Sequence, residues 1–273
     1  MDRFLQRRRR LGILLLAALG VVLAAGSMTA CSDDDSPAGP GPVGPVGPVG
    51  PGGEDDGITG SGTITTEPRD VSGFDRIVFR SEGRVIVTVG TDDSLVVEVD
   101  DNLQPLLRAS VSGGELEIST SEGTDVDPST PPVFRVGMAA IAGVDLAGAG
   151  TIEISSIESE RLEITLSGVG DVTIGTVDVD ELVVNLSGVG TVSVRGAADR
   201  QEARVGGVTI YEAENLESRT ATIDGAGTGQ ATIWVTEELE ITAADTASVS
   251  YYGTPTVTQD ITSLATAKAL GDK

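Results

Sequence analysis

The chain has 273 residues, with 18 Lys and Arg against 42 Asp and Glu, a formal charge of −24, no histidine and one cysteine. Such acidity excludes nucleic acid and anionic bilayers as partners held by charge. Without imidazole or a second thiol there is no histidine base, no thiolate metal site and no internal disulfide, so we expect no catalytic residue, no metal and no cofactor.

Residues 1–30 read as a lipoprotein signal peptide. Arg3 and Arg7 to Arg10 form a basic segment, and Leu11 to Ala25 form an apolar stretch that is short for a bilayer span and right for a leader core. Met28-Thr29-Ala30-Cys31 follows, with small residues ahead of the only cysteine. This resembles the lipobox of bacterial lipoproteins, with Met28 standing where Leu is commonest. The resemblance implies cleavage before Cys31, lipidation of Cys31 and attachment to a membrane through that lipid. Loss of residues 1–30 removes five Arg and one Asp, which takes the charge to −28.

Residues 31–57 read as a tether. Ser32-Asp33-Asp34-Asp35 is a charged run, and Gly41 to Gly52 is a Gly-Pro-Val series. Four triplets are too few for a collagen triple helix, whereas a stiff polyproline-II spacer of this length extends about 35 Å. The acidic run looks like signals that send some lipoproteins to the outer face of the outer membrane; a solvated linker reads the same way. We therefore expect a lipid-anchored protein of the bacterial envelope, at the outer membrane, facing the periplasm or the surface.

Residues 58–273 change to Val, Ile, Thr and Gly in short alternating runs, such as Arg84-Val85-Ile86-Val87-Thr88-Val89 and Ser94-Leu95-Val96-Val97-Glu98-Val99. No segment holds a helical period, and Asn102 to Arg108 contains the only expected helical turn. The domain reads as all-β. From residue 146 a repeat emerges: Leu146-Ala147-Gly148-Ala149-Gly150, Leu166-Ser167-Gly168-Val169-Gly170 and Leu186-Ser187-Gly188-Val189-Gly190 stand twenty apart. Weaker copies follow at Val205, Ile223, Ala243 and Ile261, spaced by nineteen, eighteen, twenty and eighteen.

A period near twenty without the Asn or Cys of leucine-rich repeats predicts a single-stranded parallel β-helix, whose coils rise about 4.8 Å each. Leu166 then lies under Leu186, Val172 under Val192 and Leu162 under Leu182. In the coil from 166 to 185, Leu166, Val172, Ile174, Val177, Leu182 and Val184 point inward. Burying them recovers less than ordering twenty backbones costs, so no coil stands alone. A slipped register would bury Asp or Thr and expose the aliphatics, so each coil templates the next. Gly168 and Gly170 serve corners that need positive φ or close backbone contact. A phosphate loop is the lesser reading, because no helix start and no Lys-Ser or Lys-Thr follows. Residues 58–80 and the tail after Ile261 are the expected end caps.

The order of Gly60-Ser61-Gly62, Val71-Ser72-Gly73-Phe74-Asp75-Arg76-Ile77, the Ser-Gly-Val-Gly repeats and Tyr251-Tyr252-Gly253-Thr254-Pro255 resembles the bacterial auto-transporter adhesins with a head GIN domain. The likeness covers about Ile58 to Leu270, although no literal Gly-Ile-Asn is present. It implies a right-handed parallel β-helix shaped like pectin lyases, without their catalytic residues, and a role in adhesion.

An enzyme would draw on Asp171, Asp178, Asp180 and Glu181, with Arg161 and Arg195 nearby; acidic residues at β-turns are more often solvated turn formers. A calcium row would need an acid stacked on Asp171, and Thr191 stands there instead. The remaining reading is a non-enzymatic adhesin-like or scaffolding module that binds a glycan or a surface protein, with a β-helix polysaccharide lyase or glycosidase as the alternative. Its exposed aromatics are few. Trp234, Tyr251 and Tyr252 are the expected ligand-binding residues, with Tyr211 a further aromatic, and Trp234 and Tyr252 fall near one repeat apart. The competing role for these aromatics is to plug the C-terminal end of the core.

Overall fold

A computed structural model describes residues 57–273. The expected signal peptide, the lipidated Cys31 and the tether up to residue 56 lie outside the described residues.

The chain enters through β1 (Ile58–Thr59) and β2 (Ile64–Arg69), and β3 (Arg76–Arg80) and β4 (Glu82–Val89) form the first parallel layer. Then come β5 (Ser94–Asp100), a 3-10 turn at Gln104–Leu106, β6 (Leu107–Ser112), β7 (Glu115–Thr120), β8 (Val126–Asp127) and β9 (Val133–Met138). The regular coils are β10 (Gly143–Leu146), β11 (Ala149–Leu166), β12 (Val169–Leu186), β13 (Val189–Val205) and β14 (Val208–Gly225). The stack finishes with β15 (Gln230–Ala243), β16 (Ser248–Tyr252), β17 (Thr256–Ile261) and β18 (Thr266–Gly271). The fold is a parallel β-solenoid, as the repeat predicts, and the single helical turn among the described residues falls inside the expected stretch.

Register follows the twenty-residue period through the middle. Leu162 pairs with Leu182, Leu166 with Leu186, Val172 with Val192 and Thr173 with Ser193. All six aliphatics expected inside the coil from 166 to 185 are buried. Alternation is broken where neighbours both face outward, at Gly175-Thr176 and Asp180-Glu181, and there the coil bends. The main corner is a column of glycines. Gly150, Gly170 and Gly190 have φ of +148°, +137° and +145°, and a Cβ on Gly170 would lie 1.8 Å from the Gly150 carbonyl oxygen. At Gly168 close approach alone excludes a side chain, since a Cβ would lie 2.0 Å from the Gly148 oxygen.

Two details differ from the sequence reading. The corner of the coil after Val205 is Gly225 rather than Ile223, because Val205 pairs with Gly225 while Ile223 aligns with Ala203 and Ile241. The successive steps are therefore twenty then eighteen. Glycine can stand at that buried corner because Ala247 fills the space, within 3.2 Å of where its Cβ would lie.

The N-terminal end is also built differently. Of the expected cap at residues 58–80, β3 is not a cap; with β4 it forms an interior layer between β10 and β11 on one side and β7 and β9 on the other. The chain lays that layer first, runs outward and returns beneath it, then passes over it to begin the regular coils. Closure comes from antiparallel strands, β6 on β7, β5 on β9 and β2 on β5. Such pairing hides the edge of the last parallel layer. Phe79 and Phe134 meet edge-to-face across these layers at 5.3 Å. At the other end, β17 pairs in parallel with β15 and β18 with β16, so the tail extends the stack as further parallel strands.

Candidate aromatic binding site

The site follows from strand alternation near the C-terminal end. Along β15, Ala231, Ile233 and Val235 are buried, which turns Thr232 and Trp234 outward. Ser250 and Tyr252 of β16 pair with Thr232 and Trp234, so Trp234 and Tyr252 are neighbours on one outer face and both remain half-buried. Tyr251 pairs with the inward Ile233 and packs against the core. The three expected residues thus separate: two share a surface, and Tyr251 supports it from beneath.

A bulge completes the site. Between β14 and β15 the register jumps from Ala213–Ile233 to Glu217–Trp234, so Glu214, Asn215 and Leu216 have no partners on β15. Leu216 turns back into the core, and its two predecessors stand beside the aromatic pair. The ammonium of Lys273 lies between them. It is 5.4 Å from the centre of the Trp234 ring and 5.3 Å from that of Tyr252, within the range of cation–π attraction. It donates to the Asn215 amide oxygen at 2.9 Å and to the Glu214 carbonyl. Sequence reasoning missed Lys273 and the bulge, although Lys268 and Lys273 are the only two lysines in the chain.

The other expected residues sit elsewhere. Tyr211 is fully buried in the coil, where its hydroxyl accepts from Gln201 Nε2 at 3.0 Å and Ser218 Oγ donates to Gln201 Oε1 at 3.3 Å. Burial pushes the Tyr211 phenol upward, and the Gln201 hydrogen bond only partly offsets this. It is a core polar group, not a contact residue. Asp171 accepts from the backbone N–H of Thr191 at 2.9 Å, which ties one corner to the next. Glu181 pairs with Arg161 one coil below. Asp178 and Asp180 line an open hollow with Glu158, Ser159 and Glu160, a lining that includes no Arg or Lys.

Displaced proton affinities arise away from the aromatics. Arg84, through hydrogen bonds of 2.8 and 2.6 Å, holds the Glu153 carboxyl below its ordinary range. Asp100 is held low chiefly by the Ser129 hydroxyl at 2.6 Å, with the backbone N–H groups of Ser129 and Gly62 adding to it. Burial pushes Asp145 up, against a hydrogen bond from Ser167 at 3.3 Å. Among the described residues no group of His, Cys, Asp or Glu is arranged to hold a metal ion.

The family described as "putative auto-transporter adhesin, head GIN domain" matches residues 73–255. The chain belongs to this family. Solved structures of similar shape include a putative adhesin from Bacteroides fragilis, 24% identical, with a TM-score of 0.74 over 80% of this chain and 100% of its own. A putative lipid binding protein from Parabacteroides distasonis is 22% identical, with a TM-score of 0.61 over 78% and 99% of the two chains. A putative adhesin from Parabacteroides merdae is 18% identical, with a TM-score of 0.61 over 79% and 99%. At these identities the likeness concerns the fold. No curated protein matches the chain. The head GIN region takes in Trp234, Tyr251 and Tyr252, while Lys273 lies beyond it.

Proposed function

We propose that this head GIN protein is a cell-envelope binding module that acts by adhesion and not by catalysis, with Trp234 and Tyr252 as its contact surface. The observation that carries this reading is the aromatic pair itself. Two large rings occupy successive outward positions in strict register. A solenoid core has no need of them there, since the inward sites beneath are already filled by Ile233, Val235 and Val249. Amphipathic rings of this kind supply contact area at low entropic cost. Membership of an adhesin family supports a position at the cell envelope; lipidation of Cys31 and the outer membrane belong to the same proposal.

A polysaccharide lyase or glycosidase gains less support. Glu181 is engaged with Arg161 and Asp171 with Thr191, while the hollow at Asp178 and Asp180 has no Arg or Lys in its lining to serve as a lyase base. The test is binding of the full chain to arrays of glycans and of matrix and surface proteins, with Trp234→Ala alongside. Saturable binding that the substitution weakens at least about ten-fold is the expected result. Release of unsaturated or reducing sugar from a polysaccharide, with no binding partner, overturns it.

A further inference from the structure

Resting on the reading of Trp234 and Tyr252 as the contact surface, we infer that this surface is a site for a primary alkylammonium group, that its intended occupant is a lysine side chain of a partner protein, and that Lys273 holds it in the free protein. The site has the parts such a group requires. Two ring faces lie 5.3 and 5.4 Å from one point, and the Glu214 carbonyl and Asn215 amide oxygen accept hydrogen bonds there. An ammonium has three N–H donors and no acceptor, which matches two oxygen acceptors set beside two π faces.

Both halves of the cage depend on local departures from the regular coil. The Glu214–Leu216 bulge brings up the oxygens, and the eighteen-residue step sets Tyr252 over Trp234. Gly253, at φ +95°, takes the chain away directly after Tyr252, and a Cβ there would lie 2.0 Å from the Val235 oxygen. The edge of Tyr252 also stays open. The pairing of β16 with β18 shifts so that Gly271, without a side chain, stands opposite it.

The resident group identifies the ligand. Lys273 follows β18 and reaches back to residues 58 and 59 positions earlier. No element of regular structure holds it, since β18 ends at Gly271. A tail lysine is therefore an internal competitor, and an external lysine must displace it. At −24 the surrounding charge favours cationic partners and draws them in. Apparent affinity in the intact chain is reduced by the fraction of time Lys273 occupies the cage.

Trp234 is the only tryptophan, so its emission reports on the site directly. The experiment titrates the full chain, Lys273→Ala and Lys273→Met with n-butylammonium and with Nα-acetyl-lysine N-methylamide at constant ionic strength, using sodium chloride as the blank. Both lysine variants should show a saturable change in Trp234 emission, at concentrations at least about ten-fold below those the unaltered chain requires. The ε-acetylated form of the amide should give none. The assignment is overturned if neither variant responds saturably, or if the unaltered chain and the variants respond alike. A response to butylammonium without one to the lysine amide overturns the lysine source. On the arrays, binding that is lost in Trp234→Ala but unchanged in both Lys273 variants would leave the aromatic surface standing and remove the ammonium assignment. Emission titration that succeeds where no array partner binds would support the cage and count against adhesion.

Discussion

The coils from Ala149 to Val205 and those that follow are made by the same rule and put to different uses. In the first set, β11 and β12 pair without a register shift and β12 and β13 with one, and glycine stands on glycine at the main corner, Gly150 on Gly170 and Gly170 on Gly190. After Val205 the steps vary, the paired glycine is replaced where Gly190 meets Thr209, and β14 carries residues that β15 does not match. Between β11 and β12 the backbone and the inward positions repeat every twenty residues, so the two coils differ mainly in their outer side chains, as Glu153 beside Thr173 and Arg161 beside Glu181 do. Departures from the period create a unique place on an otherwise repeating backbone, and the aromatic cage lies at the largest of them.

The sharpest way to break this contrast is to put a methyl group into each kind of corner. Gly170→Ala forces a Cβ against the Gly150 carbonyl at positive φ, and should destabilise the fold by about 3 kcal/mol or more in chemical denaturation. Gly206→Ala sits where the nearest atom, the Leu186 oxygen, is 3.3 Å away, and should cost at most about 1 kcal/mol. Equal losses at the two sites would remove the distinction.

Next in size is the polar group inside the first irregular coil. Tyr211→Phe keeps the ring and leaves the Gln201 amide without its acceptor, so it should cost about 1–3 kcal/mol by the same measurement.

The N-terminal closure offers a pH-dependent counterpart. The Asp100 carboxylate receives donors from Gly62 and Ser129, and its folded pKa lies below the ordinary value. Its contribution is therefore complete above the unfolded pKa, near 4, and is lost as pH falls through the lower folded value. Asp100→Asn should lower the melting temperature at neutral pH and flatten its decline below about pH 4. A scan of melting temperature against pH for the two chains measures both.

The smallest effect on stability belongs to Trp234→Ala, an outward residue whose removal should leave the unfolding free energy within about 0.5–1 kcal/mol of the original while abolishing ammonium binding.

Much of this fold was legible because stacking makes distance in the sequence equal to distance in space. Leu162, Leu166 and Val172 announce their partners twenty residues on, and every such pairing is present. The first layers were not legible for the converse reason. Phe79 and Gly83 are the counterparts of Leu146 and Gly150, but 67 residues separate them and the layer beneath follows later in the chain. A period cannot be read where stacking order departs from chain order. The same limit explains the site. Trp234 and Tyr252 were visible as a repeat-spaced pair, whereas Lys273 and Asn215 meet through a bulge and a tail that obey no period. The misassigned corner at Ile223 arose because Gly225 supplies no aliphatic side chain to mark it.

The most direct test of the division between coils that stabilise and coils that recognise is hydrogen exchange on the full-length Lys273→Ala chain, with and without n-butylammonium. Protection should rise in residues 213–217, 232–236 and 250–253 and stay constant in residues 166–194. An unchanged pattern around the cage, or a change centred on the regular coils, would contradict the account.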